Sequence, residues 1–90
     1  MTPHQAMHYD YVEDILERRA PHREAHLALV ARWKEDGRLV LAGALGDPPH
    51  GALFVFPGED ASVAEQFASE DPYVAAGLVT SRRVERLNVV

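Results

Sequence analysis

Two apolar segments on either side of a short loop constrain the fold of this chain most strongly. Residues 38–45 and 52–56 are apolar at nearly every position, and the loop between them, residues 46–51, holds two glycines and two prolines. This arrangement predicts a β-hairpin. A strand with one face in water normally alternates polar and apolar residues. Here both faces of each strand are apolar. In the first strand we expect Leu39, Leu41 and Leu45 to oppose Val40, Ala42 and Ala44, and in the second we expect Ala52, Phe54 and Phe56 to oppose Leu53 and Val55.

A helix is predicted before the hairpin, over Pro21–Asp36. Proline suits the first helical position, and Gly37 suits the left-handed position just past the end. Apolar residues recur at the helical spacing of three and four and form an inward stripe that also contains a histidine. The stripe consists of His26, Leu29, Val30 and Trp33.

A second helix is predicted after the hairpin, over Asp60–Glu70. Asp60 could cap its start, and Ser62 with Glu65 offers a competing capping box. Its inner face is formed by Val63, Ala64, Phe67 and Ala68. Pro72 disfavours helical geometry at the preceding residue. We therefore expect a further short turn over Pro72–Ala76, capped by Asp71.

Strands are predicted at both ends of the chain, over Met7–Val12 and Leu78–Val90, with a turn or short helix over Glu13–Arg19. The element order β-α-β-β-α-β predicts an α+β, ferredoxin-like fold, with one antiparallel sheet and two helices on one face. The other face would then expose apolar hairpin residues, a patch larger than monomers usually tolerate. A second copy of the chain could cover it; the alternative is that loops or chain ends fold over it.

The composition excludes several classes of function. Ninety residues predict a single domain over residues 1–90. The chain has no cysteine, which excludes disulfides and thiolate catalysis, and its net charge of −5 with only two short basic pairs argues against nucleic-acid binding. No apolar stretch is long enough for a membrane helix, and the first residues lack a signal-peptide pattern. We expect a cytoplasmic protein.

The order and spacing of several short motifs resemble the YCII-related (YciI-like) family over nearly the whole chain. The motifs are residues 12–19 (VEDILERR), 23–27 (REAHL), 37–39 (GRL), 41–43 (LAG) and 71–73 (DPY), with Gly77 following. The resemblance implies a dimeric α+β barrel of ferredoxin-like subunits. It also implies an active site that pairs His26 with Asp71. Family members with an assigned role look like small-molecule enzymes, with dehydrochlorination or similar lyase chemistry among the proposals.

His26 and Asp71 are the candidate catalytic residues. Histidine titrates near working pH, so it can accept and return a proton within one cycle. A neighbouring carboxylate fixes the ring tautomer and stabilises the imidazolium. The residues alone leave structural alternatives open. His26 could be a core histidine bonded to a backbone carbonyl, and Asp71 could only cap the turn that Pro72 begins.

Candidate substrate-binding residues are Arg23, Tyr9, Gly43 and Tyr73. Arg23 belongs to a small basic group with Arg18 and Arg19 that could hold a substrate carboxylate; the alternative is a solvated patch that offsets nearby acidic residues. The tyrosines, Tyr11 included, could line a cleft or only pack. Gly43 could permit close approach of a ligand or mark a bulge.

We expect neither a metal nor a cofactor. His22 and His26 have the i, i+4 spacing of metal ligands, but a third ligand would have to come from His50, His8 or Asp71. The function predicted from the sequence is a small-molecule enzyme with a His/Asp acid–base pair, of the lyase, isomerase or dehydrochlorinase type, in a homodimer or higher oligomer. The alternative is a non-catalytic metabolite-binding or oligomerisation module of the same fold.

Overall fold

A four-stranded antiparallel sheet organises the molecule. The computed structural model describes residues 1–90. The strands are β1 (Thr2–Tyr11), β2 (Leu41–Leu45), β3 (Gly51–Pro57) and β4 (Val79–Val89), in the spatial order β2-β3-β1-β4. The helices are α1 (Ile15–Arg18), α2 (Arg23–Glu35), α3 (Ser62–Glu70) and α4 (Pro72–Ala75), with a 3₁₀ turn over Ala20–His22. This is the ferredoxin-like α+β fold that the element order predicts.

The two longer helices pack on the same face of the sheet. Strand positions two apart share a face, and Met7, Tyr9, Phe54 and Phe56 all lie in one buried cluster with residues of α2 and α3. The helical members of this cluster are Leu29, Trp33, Ala64, Phe67 and Ala68. The inward stripe predicted for the first helix is therefore the stripe that is buried: His26, Leu29 and Trp33 are inside, and Val30 packs against them.

The first strand begins five residues earlier than predicted. It starts at Thr2, not Met7, because its N-terminal half pairs on both sides, with Pro57 at the end of β3 and with Val89 at the end of β4. Two flanking partners satisfy the backbone hydrogen bonds of residues whose side chains have no strong strand preference. Pairing of this kind is a tertiary effect that local propensity does not reveal.

The start of the second strand was also predicted wrongly. Strand β2 begins at Leu41, and Leu39 ahead of it is buried in the main core, while Val40 and Leu41 are 54% and 51% exposed. Leu39 and Leu41 therefore do not share a face, because regular alternation begins only where the strand does. Arg38 stacks over the Trp33 ring at 3.9 Å, which holds this connection against α2.

The two longer helices, α2 and α3, each begin two residues later than predicted. Pro21 lies in the 3₁₀ turn rather than at the first position of α2. The Asp60 carboxylate accepts the Ser62 backbone N–H at 2.9 Å, so it holds the start of α3 from just outside the helix. Glu65 does not close a capping box, because its carboxylate pairs with Arg82 at 2.9 Å. Asp71 does cap α4, accepting the Tyr73 backbone N–H at 3.0 Å.

The helix-free face of the sheet carries an apolar row. Cross-strand pairing aligns Leu41, Val55 and Ala6, with Glu85 at the end of the row. Val55 and Ala6 are buried within the sheet surface itself, whereas Leu41 stands exposed. Leu87, which pairs with His4 in the neighbouring row, is 40% exposed. No helix of the structure is long and apolar enough to span a membrane.

Candidate active site

Asp71 lies at the centre of a buried hydrogen-bond network. It stands between α3 and α4, and only 1% of its surface is exposed. Its Oδ1 accepts the Tyr73 backbone N–H at 3.0 Å and lies 2.8 Å from His26 Nδ1, while its Oδ2 accepts the Tyr9 hydroxyl at 2.8 Å. Three donors around one carboxylate compensate the loss of water, which is what a buried charge requires.

His26 presents its two ring nitrogens to different surroundings. An ionised carboxylate only accepts hydrogen bonds, so Nδ1 carries the proton that is donated to Asp71. The neutral ring then has an unprotonated Nε2. This atom has no hydrogen-bond partner in the chain. It keeps some solvent-accessible surface, although the residue as a whole is only 7% exposed. Asp71 therefore orients the imidazole through Nδ1, and Nε2 remains accessible as a proton acceptor.

The aromatic ring of Tyr73 fixes the plane of the imidazole. The two rings are parallel within 3° and their centroids are 3.8 Å apart. The Phe54 ring stands edge-on to His26 at 6.4 Å. Because the Tyr73 backbone also binds Asp71, one residue holds both members of the pair. This geometry follows from the Asp-Pro-Tyr sequence, in which Pro72 begins α4 and places the next N–H on the carboxylate.

A cavity of about 180 Å³ opens in front of His26. Aromatic and aliphatic side chains form most of its wall, and no Asp or Glu lines it. The lining residues are Tyr11, Arg19, Arg23, His26, Leu27, Val30, Ala42, Gly43, Ala44, Ala52, Phe54 and Tyr73. A concave, mostly apolar site with a few polar groups is the usual form of a small-molecule site.

Burial alters the acidity of two tyrosines around the pair. Burial, together with the nearby Asp71 charge, raises the pKa of Tyr9 far above its ordinary value. Burial also raises the pKa of Tyr11, while Arg19 and Arg23 act in the opposite direction. Tyr9 therefore remains a hydroxyl donor to Asp71 at any working pH.

Most of the residues predicted for the site meet in one place. Arg23, Gly43 and Tyr73 line the cavity with His26, and Asp71 lies directly behind the imidazole. Tyr9 does not line the cavity: it is fully buried, and its hydroxyl contacts Asp71. The sequence did not indicate this contact, because Tyr9 and Asp71 are 62 residues apart and only strand packing joins them.

The structure contains no group of three or more His, Asp or Glu residues placed to hold a metal ion. His26, one member of the i, i+4 histidine pair, has its Nδ1 engaged with Asp71.

Comparison with known protein families identifies the chain. The YCII-related domain matches residues 4–88. The chain belongs to the YCII-related family. Protein YciI of Escherichia coli O6:H1 is 36% identical over 74 residues, which are 72% of this chain and 76% of that protein, and Protein YciI of Shigella flexneri matches to the same extent. The resemblance stated from the sequence is confirmed.

Solved structures show the same fold at low sequence identity. One is the 5-chloro-2-hydroxyhydroquinone dehydrochlorinase (TftG) of Burkholderia phenoliruptrix AC1100, in complex with 2,5-dihydroxybenzoquinone. It superposes with a TM-score of 0.77 at 22% identity, over 94% of this chain and 93% of that one. An antibiotic biosynthesis monooxygenase superposes with a TM-score of 0.58 at 9% identity, over 98% of both chains. These likenesses establish the shared ferredoxin-like fold of this YCII-related chain.

Proposed function

We propose that this YCII-related protein is an acid–base enzyme that removes a proton from a small organic molecule, in an elimination or isomerisation. The observation that carries the proposal is the orientation of His26. Asp71 holds Nδ1 at 2.8 Å, and Nε2 is left free beside a cavity of small-molecule size. General acid–base catalysis needs a positioned group of this kind, with access to the reacting proton.

His26 and Asp71 would have different roles in an elimination. His26 Nε2 would accept a proton from the bound molecule, and the imidazolium that forms would be stabilised by the Asp71 carboxylate. The electron pair left by the proton would form a new double bond. The leaving group, chloride in a dehydrochlorination, would depart with its own bonding pair, and His26 would then return its proton to water.

The likeness to TftG supports an elimination among the acid–base reactions. That protein is a dehydrochlorinase and shares the fold over nearly the whole of both chains. The YCII-related domain covers residues 4–88, so the supporting family match includes both His26 and Asp71. The proposed role of each residue rests on the geometry of this chain.

The test is chloride release from 5-chloro-2-hydroxyhydroquinone, together with proton–deuterium exchange into a panel of small phenols and keto acids in D₂O. We expect at least one of these reactions to be accelerated, and His26→Gln to slow it by a factor on the order of 10²–10⁴. His22→Gln is the matched control: His22 precedes α2 and does not line the cavity. If His26→Gln retains full rate, the proposal is wrong. Ligand binding without any His26-dependent reaction would identify a binding module instead.

We propose further that the protein is a homodimer in which the helix-free face packs on a second copy. Leu41 stands at one end of the apolar row with Val55 and Ala6, and it is 51% exposed, so this end of the row lacks cover within the chain. Burying such a surface is favourable by roughly 25 cal/mol per Å².

Substitution of two similarly exposed leucines tests the dimer. Leu41→Glu places a charge on the sheet face, and Leu16→Glu places one on α1, where the native side chain is 49% exposed. Analytical ultracentrifugation should show a dimer for the wild type and for Leu16→Glu, and a monomer for Leu41→Glu. A monomeric wild type, or a dimer that is unchanged by Leu41→Glu, would contradict the proposal.

A further inference from the structure

We infer that the cavity selects a molecule with a single ring and an ionised acidic group, and that Arg19 and Arg23 bind that group. This inference rests on the proposed function in one respect: it assumes that the ligand occupies the cavity in front of His26. It adds the class of molecule and the residues that recognise it.

Arg18 and Arg19, which precede α2, and Arg23, which begins it, differ in their surroundings. Arg18 lies 3.7 Å from Asp14 in an i, i+4 pair and does not line the cavity. Arg19 and Arg23 both line the cavity, and neither makes a side-chain hydrogen bond or an ion pair with another residue. The chain therefore supplies two unpaired guanidinium groups at the cavity and neutralises the neighbouring one.

The cavity wall contains no acidic residue that could compensate these two charges. Asp71, the nearest buried carboxylate, is already held by His26, Tyr9 and the Tyr73 backbone. Both Arg19 and Arg23 lower the pKa of Tyr11, against the larger effect of burial, so both charges act on a group inside the cavity. Guanidinium groups bind carboxylates in a two-pronged geometry that few other side chains match.

The size and shape of the cavity restrict the rest of the molecule. A cavity of about 150 Å³ is sufficient for benzene, and this one measures about 180 Å³. Its walls include the rings of Tyr11, Phe54 and Tyr73. The Tyr73 hydroxyl is buried and has no hydrogen-bond partner in the chain. A flat ring with one acidic group and small substituents fits this space.

The test measures binding of three one-ring probes, benzoate, 4-hydroxybenzoate and the uncharged benzamide, to the intact protein by NMR. The backbone amides of Gly43 and Tyr73 report occupancy of the cavity. We expect both carboxylates to bind at least tenfold more tightly than benzamide. Arg19→Gln or Arg23→Gln should weaken benzoate binding roughly 10- to 100-fold, and Arg23→Lys should restore only part of it.

Arg18→Gln is the matched control, since it removes the same charge one residue outside the cavity, and it should change benzoate affinity less than twofold. Equal affinity for benzoate and benzamide would overturn the inference. So would an equal loss in Arg18→Gln and Arg23→Gln, because that result would show only a general effect of net charge. Failure of the carboxylates to bind would overturn it as well.

His26→Gln separates this inference from the proposed function. We expect this variant to keep the preference for benzoate over benzamide, at least tenfold, since the acidic group is held by arginines. Tight carboxylate binding without any His26-dependent reaction would refute the enzyme and leave the ligand class standing. A His26-dependent reaction on uncharged molecules, with no preference for carboxylates, would refute the ligand class and leave the enzyme standing.

Discussion

Removal of the Asp71 side chain should destabilise the protein strongly. Asp71→Ala would leave three buried donors without an acceptor: the Tyr9 hydroxyl, the His26 Nδ1–H and the Tyr73 backbone N–H. An unsatisfied buried donor costs about 1–3 kcal/mol. We therefore expect a loss of roughly 5 kcal/mol in the free energy of unfolding, a large part of the about 5–15 kcal/mol that natural domains have.

Urea denaturation followed by circular dichroism measures this loss. Asp71→Asn retains the shape and one acceptor oxygen but not the charge, so it should lose about half as much, because charge-assisted hydrogen bonds are roughly twice as strong as neutral ones. Asp60→Ala is the matched control, since Asp60 also accepts a backbone N–H but lies in solvent. If Asp71→Ala costs no more than Asp60→Ala, the network described for the site does not hold the fold together.

Two further predictions concern Tyr9 and the strand beside it. Burial and the Asp71 charge raise the pKa of Tyr9, so the Tyr9 hydroxyl loses its proton at a lower pH in the unfolded chain than in the folded one. The contribution of this hydroxyl to the free energy of unfolding is therefore complete below about pH 10, the pKa in the unfolded chain. Above that pH the free energy of unfolding should fall by about 1.4 kcal/mol per pH unit. Urea titrations at alkaline pH should therefore show that the free energy of unfolding declines less steeply with pH in Tyr9→Phe than in the wild type. An equal slope in the two proteins would refute the raised pKa of Tyr9. A Cβ at Gly51 would collide with the Tyr9 carbonyl, whereas one at Gly43 would meet nothing within 4 Å. Thermal melts should accordingly show a loss of about 1–3 kcal/mol for Gly51→Ala and almost none for Gly43→Ala, and equal losses would contradict the packing at Gly51.

Patterns that depend on near neighbours predicted much of the fold. The spacing of His26, Leu29 and Trp33 identified the buried stripe of α2, because three- and four-residue spacing is a property of the helix itself. Pro72 and Asp71 identified the short turn after α3, because proline restricts the residue before it and aspartate caps the next N–H. These signals lie within a few residues of the features they predict.

Features set by distant parts of the chain were not predicted. The early start of β1 depends on pairing with Val89, and the burial of Leu39 depends on packing against the core. The role of Tyr9 could not be inferred from local spacing, because its hydroxyl reaches Asp71 across the fold. The sequence did place Tyr9 among the candidate residues, but only the packing of β1 against the junction of α3 and α4 decides which group its hydroxyl contacts.

The structure also changes how the alternatives for Asp71 relate to each other. From the sequence, capping of the turn and pairing with His26 stood as competing interpretations. In the fold, one oxygen of the carboxylate does both: Oδ1 accepts the Tyr73 N–H at 3.0 Å and lies 2.8 Å from His26 Nδ1. The cap therefore fixes the carboxylate at the position from which it orients the imidazole.

The most direct test of the account is the side-chain ¹⁵N–¹H NMR spectrum of His26, recorded with and without benzoate, the proposed probe of the cavity. The geometry predicts that the neutral ring carries its proton on Nδ1, that Asp71→Asn shifts the ring toward the other tautomer, and that only the Nε2 resonance responds strongly to the added compound. A ring that carries its proton on Nε2 in the wild type, or an Nε2 resonance that no small ligand of the cavity perturbs, would contradict the claim that His26 is an oriented and accessible proton acceptor.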